Sequence, residues 1–447
     1  MRGYSYLNGK SIVKRLDPPQ FLLLIFLTFI LIGTLLLKLP FATSEHITVL
    51  NALFTATSAM TVTGLIVVDT GTAFTLFGQI VILLLIQLGG LGIMTFAVFI
   101  FLMAGRKIGF KEHVLITQSL NQNSIGGVII LAKKLLVFSL IVEMIVFTLL
   151  SIRWVPILGW KGGLFASLFH SISAFNNAGF STWSDSLSQF IGDPIINIII
   201  TFSFILGGIG FTVIFDIWKK KKFRRFSLHT KLMVIGTFVI NIISIIIVLS
   251  LEFDNPDTIG NLPLGDKIQA SYFQALTPRT AGFNTLEIAS LNDSTLFFII
   301  LLMFIGAGSA STGGGIKLTT FLALMLSVSS FIKKESEISI FQRAITDSTV
   351  VRSLAITVIG VTFVFIGIFI LDITEDASFI MIVFEAVSAF GTVGLSMGLT
   401  GDLTSVGKVI IITIMVIGKV GPLTLAFSIA SHKKVNVRYA REQILTG

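Results

Sequence analysis

In this chain of 447 residues only 12% are Asp, Glu, Lys or Arg, against about 25% in a soluble domain, and 54% are hydrophobic. Its 41 Phe and uncharged runs such as 21–37 and 195–215 exceed what an aqueous core hides, so lipid solvates most of the chain. The absence of Cys excludes disulfide scaffolds, thiolate metal sites and thiol catalysis. The net charge of +9 is scattered over short loops between apolar runs, so no nucleic-acid partner is expected.

Residues 1–20 are polar and basic and precede the first apolar run. As a cleaved leader this segment is unusually long and lacks a small-residue cleavage site, so the first helix is expected to be retained. Eight stretches are long enough to cross a hydrocarbon layer of about 30 Å: 20–38, 75–103, 130–152, 193–218, 230–251, 294–331, 350–371 and 405–430. Between the members of each pair lies a shorter segment: 50–61, 163–175, 267–278 and 377–390. At about 1.5 Å per residue these reach only halfway across, which predicts re-entrant half-helices. The expected fold is an all-α integral membrane protein of four tandem span, pore-helix, filter-loop, span repeats around one pseudo-fourfold pore. Its expected boundaries are a tail at 1–20, repeats at 21–125, 126–225, 226–340 (with a broken second span) and 341–430, and a tail at 431–447.

Of the 32 Lys and Arg, 24 fall in the two tails and in 104–134, 219–231 and 333–352, which predicts cytoplasmic termini in a cell membrane. The same division puts 14 of the 23 acidic residues outside, among them Glu252, Asp254, Asp257, Asp372, Glu375 and Asp376. An acidic outer mouth raises the local cation concentration. The basic run Lys219–Arg225 reads chiefly as topogenic and lipid-facing, with docking of a cytosolic partner as the secondary reading.

Four segments align on one glycine each: Phe54-TATSAMTVT-Gly64-Leu65, Phe169-HSISAFNNA-Gly179-Phe180, Tyr272-FQALTPRTA-Gly282-Phe283 and Phe384-EAVSAFGTV-Gly394-Leu395. Three of them carry Ser-Ala six and five residues earlier, at Ser58-Ala59, Ser173-Ala174 and Ser388-Ala389. A second landmark recurs 24 to 28 residues on: Gly89-GL-Gly92, Gly207-GI-Gly210, Gly306-AG-Ser309 and Gly418-KV-Gly421. Irregular backbone at membrane depth survives only where protein or water satisfies it. Four loops around one axis aim carbonyl oxygens inward and replace the water shell of a monovalent cation, with half-helix C-termini adding their negative dipole ends. Close helix packing accounts for the second landmark, but not for a glycine that regularly ends a half-length helix.

This fourfold plan, with TVTGL, NNAGF, TAGF and GTVGLS, resembles the Trk/Ktr/HKT superfamily of cation transporters, and looks most like the membrane subunit of a bacterial Ktr potassium-uptake system. The resemblance implies a potassium-binding selectivity filter built by Val62, Thr63 and Gly64, by Asn177, Ala178 and Gly179, by Thr280, Ala281 and Gly282, and by Thr392, Val393 and Gly394. All four glycines are present, which favours potassium; one glycine per loop, where tetrameric channels have two, implies a shorter filter. The resemblance further implies a homodimer with one pore per protomer, set on a separate cytosolic ring of nucleotide-binding regulatory subunits of the RCK/KTN type. Potassium is then the substrate and no cofactor is bound by this chain; sodium activation occurs in the family but is not legible in these residues.

The span at 294–331 is interrupted at Gly306, Gly308, Ser309, Ser311, Thr312, Gly313, Gly314, Gly315 and Lys317. Each Gly disfavours helix by about 1 kcal/mol against Ala, so the segment is expected to border a cavity under the filter. By resemblance it is the gating loop. A phosphate cradle is excluded because the loop lies inside an apolar span and follows no strand. Lys419 lies deep in the last span, where family members usually have Arg. It is expected to donate to loop carbonyls and to oppose potassium while the loop is closed. Lys317 is given the same role, and Lys408 is expected to snorkel to the outer interface.

Glu143 is expected to pair with a neighbouring helix, and His170 and Glu385 to brace the loops behind the filter. For Arg279 two roles stay open, pinning the third loop or tuning the mouth. No nucleotide-binding motif occurs, the five His are dispersed, and no catalytic constellation lies within a span, so an enzyme is not expected. The alternative to potassium uptake is a secondary transporter of another cation or a small organic solute, which is expected to show an inverted two-part repeat.

Overall fold

The computed structural model describes residues 18–92 and 125–421. Residues 1–17 of the expected N-terminal tail, the expected C-terminal tail, most of the loop at 104–134, and the C-terminal ends of the spans at 75–103 and 405–430 lie outside the described residues. Among the described residues the regular elements are helical apart from one two-stranded hairpin, Ser339–Ile340 with Arg343–Ala344.

The first set comprises α1 (Pro18–Leu37), α2 (Val49–Thr61) and α3 (Leu76–Gly90). Helix α1 is apolar apart from Gln20, Thr28 and Thr34, buries Phe26 and Ile30, and turns Leu31 and Leu35 outward as a lipid-facing surface. Helix α2 starts where the Thr48 hydroxyl accepts from the Asn51 N–H (3.1 Å). Its 13 residues reach about 20 Å, half a bilayer.

The second set opens with α4 (Ile125–Phe175), whose run of helical bonding is turned at Gly159 (φ 75°, ψ 170°). The span expected at 130–152 and the half-helix expected at 163–175 are its two arms. They fold close enough that a Cβ on Gly163 would meet Val155 Cα at 2.6 Å. The closing span differs from the straight segment expected at 193–218. Helix α5 (Pro194–Gly208) and helix α6 (Phe211–Lys220) meet at 93°. The bend sits at Gly210 (φ 99°), and the Phe211 N–H donates to Ala310 O (2.9 Å). Apolarity runs unbroken across this joint, so hydropathy gave no sign of it.

The third set is α7 (Leu228–Glu252), α8 (Leu264–Leu276), α9 (Asp293–Phe304) and α10 (Leu318–Ile332); the fourth is α11 (Asp347–Thr374), α12 (Phe379–Gly391) and α13 (Ser405–Val420). Helices α7 and α11 are each long and apolar enough to cross alone. The break expected inside 294–331 separates α9 from α10, bridged by the Gly306 N–H donating to Ile316 O (2.8 Å).

Each closing span packs on the short helix of the next set: α3 on α4, α5 on α8, α9 on α12, and α13 back on α2. The contacts between sets therefore follow chain order, and the fourth set returns to the first. In the first, second and fourth sets the second-landmark glycines bring the closing span close to the short helix of its own set. A Cβ on Gly89, Gly207 or Gly418 would overlap the carbonyl oxygen of Met60, Phe175 or Phe390 respectively, each four residues before an aligned glycine.

Candidate functional site

Three of the four short helices end alike. After α2, the Val62 N–H donates to Ala59 O and the Thr63 N–H to Ser58 O (2.8 Å); Asn177 and Ala178 do the same to Ala174 and Ser173, as do Thr392 and Val393 to Ala389 and Ser388. These paired bonds satisfy the last helix carbonyls and require a left-handed residue at the cap. In the third set, Pro278 offers no N–H and the pattern slips by one residue, with Ala281 and Gly282 both donating to Thr277 O.

Left-handed backbone consequently recurs at one position in all four segments: Val62 (φ 51°), Asn177 (φ 58°), Thr280 (φ 73°) and Thr392 (φ 50°). Three of these are β-branched, for which the conformation is a true outlier costing of order 1–3 kcal/mol each. Two residues on, Gly64, Gly179, Gly282 and Gly394 have φ of 92°, 68°, 76° and 95°, while the residues between keep negative φ. The sign of φ alternates along every segment.

The four glycines form a ring. A Cβ added to Gly64 would lie 2.5 Å from Ala178 O, and one on Gly179 would lie 3.1 Å from Ala281 O. On Gly282 it would overlap Val393 O, and on Gly394, Thr63 O. Each glycine thus faces the carbonyl before the next glycine in chain order, and the fourth returns to the first. Beyond the ring, on the side of the loops that follow it, lies a cavity of about 250 Å³ touching all four glycines, Asp185 and Glu287. Among the expected mouth acids, Glu252 and Glu375 do not serve there. Glu252 is buried and accepts from Asn255 and Thr258 (both 2.7 Å) and the Asn292 N–H (3.0 Å). Glu375 accepts from the Thr404 hydroxyl (2.6 Å) and N–H (2.8 Å) at the start of α13.

On the opposite side, the loop 305–317 lies against the first residue of three segments. The Gly314 N–H donates to Thr392 Oγ1 (2.8 Å), the Thr312 hydroxyl to Asn177 Oδ1 (2.8 Å), and a Cβ on Gly313 would overlap Thr280 Oγ1. Two lysines hold its carbonyls. Lys419 Nζ donates to Thr312 O (2.5 Å), and Lys317 Nζ to Gly313 O (2.5 Å) and Gly314 O (3.4 Å). Gly306 and Gly315 pack against each other, Gly308 against Ile209, the Ser309 hydroxyl pairs with Thr319, and Ser311 donates to Gly308 O. Gly315 alone of the loop glycines needs positive φ (67°).

The remaining intramembrane polar groups are bonded behind the ring. Glu143 accepts from Gln87 (3.0 Å) and Asn176 (3.3 Å), joining the first arm of α4 to α3 and to the residue that follows the second arm. His170 is buried, pairs with Ser181 Oγ (3.0 Å) and Ala166 O (2.8 Å), and stacks on Trp183. Arg279 reaches Asn241 on α7 (3.0 Å), beside Gly208 and Ala307, and does not line the cavity beyond the ring, an arrangement that fits pinning of the third loop. Lys408 donates to Asn51 (3.1 Å) and ties α13 to α2. Glu385, fully buried, takes hydrogen bonds from Ser396 (2.8 Å) and Thr400 in the loop after Gly394. Glu385→Ala leaves both hydroxyls without their acceptor and opens a void, an expected loss of about 2–4 kcal/mol. The check is a thermal unfolding midpoint in detergent several degrees below that of the unmodified protein.

The hydroxyls that brace the ring escaped assignment from sequence. Ser58 Oγ and Ser388 Oγ accept from the Gly64 and Gly394 N–H (both 3.1 Å), while Ser173 and Thr277 donate to Phe180 O (2.7 Å) and Phe283 O (2.5 Å). For the three serines the signal was present in the recurring Ser-Ala pair; Thr277 lies outside it.

Residues 18–438 match the family profile described as TrkH, cation transport protein. The chain is 56% identical over 443 residues to the Ktr system potassium uptake protein B of Bacillus subtilis (strain 168), covering 99% of this chain and 100% of that relative. It is 42% identical to the Ktr system potassium uptake protein B of Vibrio alginolyticus (100% and 99%), and 35% to the potassium/sodium uptake protein NtpJ of Enterococcus hirae (98% and 99%). The crystal structure of the potassium transporter TrkH from Vibrio parahaemolyticus shares the fold, with a TM-score of 0.72 over 96% of this chain and 87% of that one at 19% identity. The chain belongs to the TrkH family of cation transport proteins.

Proposed function

We propose that this chain carries potassium into the cell through the ring, which acts as a selectivity filter. The observation that carries the reading is the left-handed backbone at four equivalent positions, three of them β-branched. Strain at three of four equivalent positions is retained for what it positions. Alternating φ turns successive carbonyls to one side of each segment, where they replace potassium's water shell. The ligand set is the backbone of Val62, Thr63, Gly64, Asn177, Ala178, Gly179, Thr280, Ala281, Gly282, Thr392, Val393 and Gly394. The names of the full-length relatives support potassium as the ion, and one of them adds sodium.

The loop from Gly306 to Lys317 is the gate. Held by Lys419 and Lys317, it sits directly beneath three filter segments and blocks the path, and the two ammonium groups oppose a cation electrostatically. The membrane potential drives influx, at about 2.3 kcal/mol per charge per 100 mV. The gate is released by a cytosolic ring of nucleotide-binding subunits under a homodimer, with both termini cytoplasmic and repeats at 21–125, 126–225, 226–340 and 341–430. Sodium acts as an activator.

The test is growth of a potassium-uptake-deficient bacterium on low potassium, with the chain expressed alone and beside a regulatory subunit. Rescue that Gly282→Asp abolishes is expected. No rescue in either setting, with the protein present in the membrane, would overturn the proposal.

A further inference from the structure

Asn177 differs from its three counterparts. Val62, Thr280 and Thr392 adopt the same left-handed backbone, so that conformation does not require Asn. What singles it out is its side chain. The amide is buried and lies beside Gly207 and Gly208, where a Cβ on Gly207 would meet Asn177 Oδ1 at 2.8 Å and one on Gly208 would meet Nδ2 at 3.3 Å. Its Oδ1 accepts from the Thr312 hydroxyl (2.8 Å) and its Nδ2 donates to Thr280 Oγ1 (3.2 Å). One side chain thereby joins the second filter segment, the third filter segment and the loop.

Thr312 is held on every side. It is fully buried, its N–H donates to Gly207 O (3.2 Å), its carbonyl accepts from Lys419 and its hydroxyl is spent on Asn177. No other residue of the loop places backbone donor, backbone acceptor and side chain on three different partners among the described residues. We infer that Asn177 and Thr312 form a latch that couples the gate to the filter, so that discrimination between potassium and sodium depends on the position of the loop. The inference rests on the transport reading above.

The chemistry requires the coupling. A loop that moves aside takes the Thr312 hydroxyl with it and strips Asn177 Oδ1 of its donor. A buried amide does not stay unpaired, so it rotates or recruits water. Either response withdraws or redirects Nδ2 from Thr280 Oγ1, at the start of the third filter segment. Segments two and three then relax while segment one, whose Val62 has no polar side chain, does not. Asn177 acts through the filter backbone and is a positioning residue.

The experiment uses the full chain in proteoliposomes and measures potassium and sodium influx for the unmodified protein, Thr312→Val, Asn177→Gly, the double variant and Thr312→Ser. Glycine keeps the left-handed backbone and removes only the amide. Each of the first two single variants is expected to raise basal flux by roughly tenfold, the scale of one lost hydrogen bond. Each is also expected to lower the potassium-to-sodium ratio by about threefold or more, with no further fall in the double variant. Thr312→Ser is expected to keep the original ratio. Unchanged ratios in both single variants, multiplying effects in the double, or equal loss in Thr312→Ser would overturn the latch. If Asn177→Gly does not assemble, the Val and Ser variants of Thr312 decide the matter by themselves. Absence of potassium influx in the unmodified protein strikes the transport reading instead.

Discussion

Gly282→Ala is expected to abolish potassium influx while the protein still accumulates in the membrane. Two costs arise, and their sizes differ. Holding Ala at φ 76° costs roughly 1–2 kcal/mol, which the folded state tolerates. The added Cβ would also overlap Val393 O and lie 3.1 Å from Gly179 Cα. Both are backbone atoms of neighbouring segments, and neither yields without opening the ring. The second effect decides the outcome, because a displaced carbonyl no longer matches the ion. Gly265→Ala is the control: nothing lies within 4 Å of its added Cβ, and influx is expected to stay at the original level. Rubidium uptake normalised to protein in the membrane checks both. Substantial uptake through Gly282→Ala contradicts the ring as the ion's path.

Lys419→Ala is expected to raise basal influx by at least about tenfold. The change removes a hydrogen bond to Thr312 O, worth on the order of 1–3 kcal/mol with a charged donor. It also removes a cationic charge near the path, and like charges 4 Å apart repel by about 4 kcal/mol at an effective dielectric of 20. Lys317 continues to hold Gly313 O, so the loop is loosened rather than freed. Lys419→Gln separates the contributions, since it keeps a donor and loses the charge. An increase intermediate between the unmodified protein and Lys419→Ala assigns part of the barrier to charge. Unchanged or reduced influx in Lys419→Ala contradicts the barrier role. Influx measured without the regulatory subunit gives the cleanest reading.

The alignment of four glycines was legible because the backbone there admits few other residues, and repetition multiplies a weak local signal. Half-helices were legible from length alone, since about 20 Å of helix does not cross a bilayer. The break between α9 and α10 was legible because five glycines in ten residues oppose helix. The bend at Gly210 was not: α6 continues the apolar run, and only the contact with the loop at Ala310 fixes its direction. Glu252 and Glu375 were assigned to the mouth by sidedness, which does not distinguish a carboxylate that faces water from one that caps a neighbouring helix. Asn177 was legible as the position equivalent to Val62, Thr280 and Thr392, whereas its side-chain bonds were not. Its partners stand 103 and 135 positions away, and no local rule links them. Lys419 was legible because a lone ammonium in an apolar span demands acceptors, and Thr312 O is one.

The most direct test of the central claim is potassium influx into proteoliposomes holding the purified chain, alone and with a regulatory subunit, under an imposed inside-negative potential. Influx that grows with the potential and disappears in Gly282→Asp is the expected result. No influx in either preparation, or influx that Gly282→Asp leaves intact, would contradict it.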